Sequence, residues 1–339
     1  MTDHTGWGIL ATGRIARSFA RDLREVADAR LVAVGSRTAG SAEAFVAEYG
    51  APGCRAHASY DGLVADPAVD VVYVASPHAL HLEHARLALE AGKPVLCEKP
   101  LTLNIAEAEE MVSLARRHDR FLMEAMWMAC HPVIRGIRDG LAEGRFGRPR
   151  QVHADLGFVV EAPPGSRIVE LGLGAGALLD MGIYPLTFAD LMLGPAEELR
   201  ATAGLSNDAF DEDIAIAGRY ADGAVAALTA SMTSVSPRTA TIATDRGLVE
   251  LPVGFHHPPH AVWTPADGEP ETLSGVEPLL GTGLGNEAAE VQRCLRAGLR
   301  ESPLVPHEQT LRILRQMDDL RRQIGVRYSA DPASHDATG

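Results

Sequence analysis

Aromatic side chains are scarce in this 339-residue sequence: three Trp, six Tyr and eight Phe make up 5 % of it. Any large ring that falls near a motif is therefore a candidate for more than packing. Cysteine is scarcer still, at four residues, Cys54, Cys97, Cys130 and Cys294. No two of them lie at metal-ligand or redox-motif spacing, so the thiols read as small apolar fillers in a reducing compartment. Basic charge is in deficit, with 31 Lys and Arg against 45 Asp and Glu and a net charge of −14. That balance argues against the basic face of a nucleic-acid binder and against docking on anionic lipid. No uninterrupted apolar run approaches the roughly 18 residues that span a bilayer. Residues 1–6 contain no basic stretch leading into a long apolar run, so no signal peptide is read. The expected location is the cytoplasm. What remains, 46 % hydrophobic and 22 % charged, is an ordinary globular mix, and the length fits two domains at about 150 residues each.

The first third alternates between two periodicities. Apolar runs of strand length fall at 7–11, 31–35, 69–75, 94–97 and 121–124, with helix-period segments at 15–26, 41–49, 80–91 and 105–117 between them. Asn104 followed by Glu107 has capping-box spacing. Near-continuous apolar strands alternating with helices predict a parallel sheet covered on both faces. After about residue 125 the pattern changes. A long helical segment, 176–193, ends at Gly194-Pro195, and Asp222-Gly223 between two strand-like runs predicts a hairpin. On it, Ile214, Ile216 and Val225 are read on one face and Ala215, Ala217 and Leu228 on the other, so both faces look apolar. Residues 252–278 read as loops, 286–298 and 307–324 as helices, and 329–339 as a polar tail.

The first strand runs into Ala11-Thr12-Gly13-Arg14-Ile15-Ala16, which opens a helix. A turn of this kind in the first βαβ unit lets backbone N–H groups approach a pyrophosphate at a helix N-terminus. Ala11, Thr12, Gly13, Arg14 and Ile15 are therefore cofactor candidates. About 20 residues on, an acid would read the ribose of NAD; here stand Ser36, Arg37 and Thr38. A guanidinium and two hydroxyls suit a 2′-phosphate, so the cofactor is read as NADP rather than NAD. Two later strands end in Ser76-Pro77-His78, with His81 one turn on, and in Glu98-Lys99-Pro100. Ser76, His78, His81, Glu98 and Lys99 stand where a nicotinamide reaches. His78, His81 and His84 do not complete a metal shell, nor do His256, His257 and His260 among their prolines; no metal is expected.

These residues carry a resemblance. Trp7-Gly8-Ile9 with Thr12-Gly13-Arg14-Ile15-Ala16, Val95 to Pro100, Leu122 to Trp127 and Gly176 to Pro185 together resemble the glucose–fructose oxidoreductase, inositol dehydrogenase and MocA family. The likeness spans about residues 5–325 and is greatest to its dihydrodiol and D-xylose dehydrogenases. It implies an α/β chain: a Rossmann domain with a parallel sheet at 1–127, and at 128–328 a substrate and dimerisation domain on a large, mostly antiparallel open sheet. It implies that Lys99 is catalytic. Many members place a histidine four residues after the helical aspartate; one subgroup places a tyrosine, and this sequence has Asp180 and Tyr184. The segments after Trp127 and at 167–174 depart from the subgroup's pattern.

The implied reaction is hydride transfer between nicotinamide and a carbinol carbon of a sugar, polyol or dihydrodiol. Tyr184 is read as the general acid/base, its pKa lowered by Lys99, with Asp180 orienting substrate or Lys99. Trp127, Phe158, Asp180 and Tyr184 are the substrate residues, and Trp127 also faces the cofactor. Two alternatives stay open: a non-catalytic NADP-binding sensor, and a keto- or anhydro-sugar reductase. The expected assembly is a dimer, or a dimer of dimers, through the second sheet.

Overall fold

The computed structural model of the protein describes residues 4–163 and 165–331. Six strands, β1 (Thr5–Leu10), β2 (Ala29–Gly35), β3 (Arg55–His57), β4 (Val71–Val74), β5 (Val95–Glu98) and β6 (Leu122–Ala125), form one parallel sheet. Their order is β3-β2-β1-β4-β5-β6, so the direction of winding reverses between β1 and β4. Every residue of β4, β5 and β6 is buried, as a sheet with helices on both faces requires. β3 escaped the sequence reading because it is a short, mostly exposed edge strand without an apolar run. Asn104 caps the helix Ile105–Arg117 as expected, accepting from Glu107 N at 2.9 Å. Glu107 reaches back one residue further than a regular capping box, to Leu103 N at 3.2 Å.

The second sheet has eight strands: β7 (Pro149–Gly157), β8 (Ala196–Leu205), β9 (Asp211–Tyr220), β10 (Val225–Ser231), β11 (Ala240–Thr244), β12 (Gly247–Leu251), β13 (Ala261–Pro265) and β14 (Glu271–Leu273). The order is β14-β13-β12-β11-β7-β10-β9-β8, antiparallel except for the β7–β10 pair. β9 and β10 form the expected hairpin. Asp222 (φ 58°) and Gly223 (φ 74°) both take the left-handed conformation that a two-residue turn demands. The faces divide differently from the sequence reading, however. Leu228 pairs with Ile216 on the buried face, while Val225 pairs with Arg219 and lies outside with Ala215 and Ala217. In this register the even-numbered residues of both strands face the interior and the odd-numbered ones face out, so the sequence reading had Val225 and Leu228 on each other's faces. β13 and β14 correct the loop reading of 252–278; there Trp263 packs on Phe146 with ring centroids 5.1 Å apart.

The stretch Leu171–Leu193 is apolar and long enough to cross a membrane by composition, yet 83 % of its most apolar window is inside the fold. Its C-terminal part is a core helix that packs on β7 and β10 of the second sheet. It opens with a widened π-type turn over Leu178–Gly182 before the regular helix Ile183–Leu193.

After β14 the chain returns to the helices beside the first sheet. Asp22 Oδ2 accepts from Thr282 N (2.7 Å), Thr282 Oγ1 (2.8 Å) and Leu284 N (3.2 Å), tying the helix Leu284–Arg296 to the end of the first helix. Gly281 makes this possible: its φ is +62°, and a Cβ there would lie 2.2 Å from Asp22 Cγ. The last helix, His307–Ile324, bonds to both halves, through Thr310 to Glu124 and through Arg312 to Asp190. Residues 329–331 are also anchored: Asn104 Nδ2 donates to Ala330 O at 2.9 Å, and Arg321 pairs with Asp331 at 2.6 Å. The rest of the expected tail, 332–339, lies outside the described residues.

Replacing Asp22 by Ala strands buried donors. It is expected to cost about 2–4 kcal/mol, from several charge-assisted hydrogen bonds lost at once. Urea unfolding of Asp22→Ala measures this, and unchanged stability would show that the return of the chain is held elsewhere.

Candidate active site

A cavity of about 730 Å³ opens at the carboxyl ends of β1, β4 and β5 and is closed on its far side by the core helix and the loop 253–257. This is the crevice where doubly wound sheets bind ligands. Gly13 caps the helix Arg14–Asp22 without any side-chain cap, and no acid stands in the first turn. A Cβ on Gly13 would meet nothing within 4 Å, so the helix N-terminus is open to the cavity. Gly13, Arg14 and Ile15 line it. Ala11 and Thr12 shape the turn from behind: Ala11 holds the left-handed φ of 79° that glycine usually supplies and donates to Gly35 O at 3.0 Å. Ser36, Arg37 and Thr38 do not line the cavity. Ser36 is buried and receives Thr38 N at 3.4 Å, while Arg37 is exposed over a neighbouring groove with Tyr60 and His84.

At the end of β4, Ser76 Oγ is buried on the cavity wall with no partner. An orphaned hydroxyl there, with the uncapped helix N-terminus, fits a dinucleotide. His78 lies beside it, its Nε2 3.3 Å from Arg167 Nη1. Burial first, and then the Arg167 charge, hold its imidazole neutral, well below the usual range. His81 does not reach the cavity. It braces the wall from behind, with Nε2 2.9 Å from Ser76 O and Nδ1 3.0 Å from Pro100 O. Burial brings its pKa down to about 4, so only one of these two contacts carries a proton at neutral pH. His84 packs on Tyr60, ring centroids 4.7 Å apart. Among the described residues no three His, Cys, Asp or Glu side chains converge as metal ligands.

Glu98 and Lys99 end β5, and the Lys99–Pro100 peptide is cis. Glu98 accepts from Tyr73 Oη and from Lys99 N, the latter at 3.1 Å, and burial raises its pKa. The chain has a single other lysine, Lys93. Lys99 Nζ donates to Asp180 O at 2.8 Å and lies 3.4 Å from Asp180 Oδ1. It also stands 4.8 Å from the centre of the Tyr184 ring. This carbonyl lies in an irregular stretch of helix, within the widened turn and ahead of Pro185, which has no N–H to return to the preceding turn.

Asp180 Oδ1 also receives Arg167 Nη1 at 3.0 Å. Burial alone would raise this carboxyl; Lys99 and Arg167 outweigh it and hold the group ionised, far below the ordinary carboxylate range. In return, against the pull of burial, Asp180 keeps the Lys99 ammonium charged, above the ordinary lysine range. Trp127 Nε1 donates to Tyr184 Oη at 2.7 Å. That bond takes up a lone pair of the phenol and leaves its O–H to donate elsewhere. The expected lowering of Tyr184 is reversed: burial pushes it above 10, and the pull of Lys99 and Trp127 only reduces the rise.

The cavity thus brings together Lys99, Asp180, Tyr184, Trp127, His78 and, at its exposed rim, Phe158. Sequence reasoning missed Arg167, Arg238, His256 and His257. His257 stacks on Trp127 at 5.3 Å and 16°, and His256 packs on Tyr184 at 4.7 Å. The two histidines were weighed only as metal ligands, whereas their rings stand in for the aromatics the chain lacks. Arg167 falls in one of the two segments whose departure from the subgroup's pattern marked them.

An open helix N-terminus in the first crossover, a lysine at the fifth strand end and a phenol beside it define an NAD(P)-dependent oxidoreductase acting on CH–OH groups. Comparison with known proteins agrees. Residues 5–126 match the oxidoreductase family with an NAD-binding Rossmann fold, and residues 134–250 match the GFO/IDH/MocA C-terminal domain. The chain belongs to the GFO/IDH/MocA family. It is 34 % identical over 332 residues to trans-1,2-dihydrobenzene-1,2-diol dehydrogenase of Danio rerio, covering 96 % of this chain and 98 % of that one. The Mus musculus protein of the same name is 32 % identical over the same shares. Among solved structures, a 3-ketoreductase from Actinomadura kijaniata in complex with NADP and TDP-benzene superposes with a TM-score of 0.83 at 26 % identity, covering 95 % and 98 % of the two chains. An aldose-aldose oxidoreductase from Caulobacter crescentus shares the fold, with a TM-score of 0.86 at 24 % identity over 94 % and 97 %.

Removing the carboxylate between two buried cations should be costly. Asp180→Asn is expected to lose about 3–5 kcal/mol at pH 7, as for other broken buried pairs. Because the folded carboxyl is depressed, the wild-type advantage is complete above the ordinary value of about 4 and fades as the pH falls below it. Paired urea titrations at pH 7 and pH 3.5 check both the size and the sign.

Proposed function

We propose that the protein is an NADP-dependent dehydrogenase that oxidises a carbinol carbon of a sugar, polyol or dihydrodiol, and reduces the matching carbonyl. The observation that carries this reading is that Lys99 Nζ stands over the Tyr184 ring on one wall of the cavity, with Asp180 fixing the lysine. Gly13, Arg14 and Ile15 would hold the pyrophosphate, Ser76, His78, Glu98 and Trp127 the nicotinamide side, and Ser36, Arg37 and Thr38 the 2′-phosphate. When bound, the nicotinamide supplies or accepts the hydride.

The protein's own groups manage charge and proton. Two Lys99 protons are directed at Asp180, and the third can meet a substrate oxygen. The ammonium there stabilises negative charge on that oxygen in the transition state. Tyr184 is protonated at neutral pH, so it donates its proton to a forming alkoxide during reduction. In oxidation it must first ionise to take the hydroxyl proton. Lys99 and Asp180 hold the charge pattern in either direction, and Phe158, Trp127 and the two loop histidines confine the substrate.

The exposed face of the second sheet, with Ala215, Ala217, Val225 and Ala227, is taken as the contact with a second copy in a dimer. All four cysteines are free, which suits a reducing cytoplasm.

Tyr184→Phe is expected to lower kcat by about 10²–10⁴-fold with little change in cofactor affinity. In the wild type, alcohol oxidation should accelerate as the pH rises from 7 to 10, while carbonyl reduction stays level or falls. Initial rates in both directions across that range decide; turnover in Tyr184→Phe near the wild-type level would remove the phenol from the mechanism.

NADPH should raise Tm more than NADH does, since binding to the folded state stabilises it. Arg37→Ala is expected to weaken NADPH by about 10–100-fold, the equivalent of one charge-assisted contact of 1.5–3 kcal/mol. Titration of both cofactors against both proteins measures it, and equal shifts by NADH and NADPH would assign Arg37 to the solvated surface.

A further inference from the structure

Three of the cations on the cavity already have work. Lys99 and Arg167 share Asp180, and Arg14 stands at the open helix N-terminus. Arg238, which precedes β11, has no such role. No Asp or Glu among the described residues pairs with its guanidinium, and its Nε is buried without a partner. Its backbone is pinned in place: Arg238 N donates to Asp155 Oδ2 at 2.9 Å, and Arg238 O accepts from Gly254 N at 2.9 Å and Phe255 N at 3.2 Å. The residue takes a left-handed φ of 56°, a conformation that L side chains pay for in strain and that gathers at functional positions. Holding an arginine there, rather than glycine or asparagine, needs a reason.

The surroundings supply one. Arg238 lines the same cavity as His256 and His257. Burial, and then neighbouring positive charge that includes Arg238, keeps both imidazoles in their neutral form. His256 Nδ1 is likewise buried with no partner, and its ring packs on Tyr184. An unpaired guanidinium and an orphaned ring nitrogen thus line one cavity with Lys99 and Tyr184. The neighbouring carboxylate of Asp155 is taken up by the backbone N–H groups of Arg238 and Thr239 and makes no ion pair with the guanidinium.

We infer that Arg238, with His256, forms a subsite for an anionic group on the substrate, so that the preferred substrate is a sugar or cyclic polyol bearing a carboxylate or a phosphate away from the reacting carbinol. This rests on the proposed dehydrogenase reading and narrows its substrate class. Carboxylate and phosphate both suit the planar fork of a guanidinium.

The test compares D-glucose, D-glucuronate and D-glucose 6-phosphate with NADP, in wild type, Arg238→Met and Arg238→Lys. Wild type is expected to favour one of the two anions over glucose by about 10–100-fold in kcat/KM, through KM, and the preference should shrink as salt rises. The larger gain tells carboxylate from phosphate. Arg238→Met should lose the preference, and Arg238→Lys should recover part of it, keeping charge without the fork. Equal or better use of glucose by wild type, or an anion preference that survives in Arg238→Met, overturns the inference while leaving the dehydrogenase reading intact. If none of the three is turned over, that failure belongs to the dehydrogenase reading. Thermal shift of the NADPH-loaded proteins then decides the subsite. A larger shift by either anion than by glucose, in wild type and not in Arg238→Met, supports it; equal shifts overturn it.

Discussion

One buried contact organises the site: the Lys99 ammonium on the carbonyl and carboxylate of Asp180. It joins the end of a Rossmann strand to the core helix packed on the second sheet. Burial opposes charge on both groups. Asp180 sustains the ammonium, while Lys99 and Arg167 together sustain the carboxylate. The backbone half of the contact falls in an irregular stretch of helix, between the widened turn at Leu178–Gly182 and Pro185 without its N–H. Tyr184 follows from the same geometry. It sits four residues after Asp180, under the lysine and against Trp127, so placing the lysine places the proton donor.

The cavity also settles how an acidic protein can receive a polyanion. Net charge acts at long range and is screened within about 8–10 Å. Inside the cavity Arg14, Lys99, Arg167 and Arg238 face Glu98 and Asp180, and burial raises the Glu98 carboxyl and so favours its neutral form. The local field is therefore positive although the chain carries −14. The three histidines on the wall, His78, His256 and His257, contribute shape and hydrogen-bonding capacity rather than charge, because burial holds them neutral.

Much of this was legible in the sequence wherever the signal was local and repeated. Five of the six Rossmann strands are continuous apolar runs, the Asn104 cap has its Glu107 at fixed spacing, and the Asp222-Gly223 turn needs two left-handed residues that few pairs supply. Lys99, Asp180 and Tyr184 sit in strings specific enough to carry a family resemblance. What stayed hidden depends on distant segments meeting. His256 and His257 lie among prolines and gain meaning only by stacking on Trp127. His81 looked like a cavity residue because it lies one turn from His78, but the helix turns it onto backbone carbonyls. Tyr184 was expected to be acidified by Lys99; the lysine lies over its ring rather than at its oxygen, and burial prevails. The return of the chain to the first sheet rests on Asp22 accepting from residues about 260 positions away, a relation no local pattern encodes.

The central claim is that Asp180 keeps Lys99 charged inside the protein, and the composition makes it directly measurable. Lys93 and Lys99 are the only lysines in the chain. Lysine labelled with 15N at Nζ should therefore give two side-chain resonances, assigned with Lys93→Arg. The account predicts that the Lys99 signal titrates above the ordinary lysine value of about 10.4 and drops markedly in Asp180→Asn. A Lys99 resonance that titrates near neutrality, or one indifferent to the loss of Asp180, would contradict it.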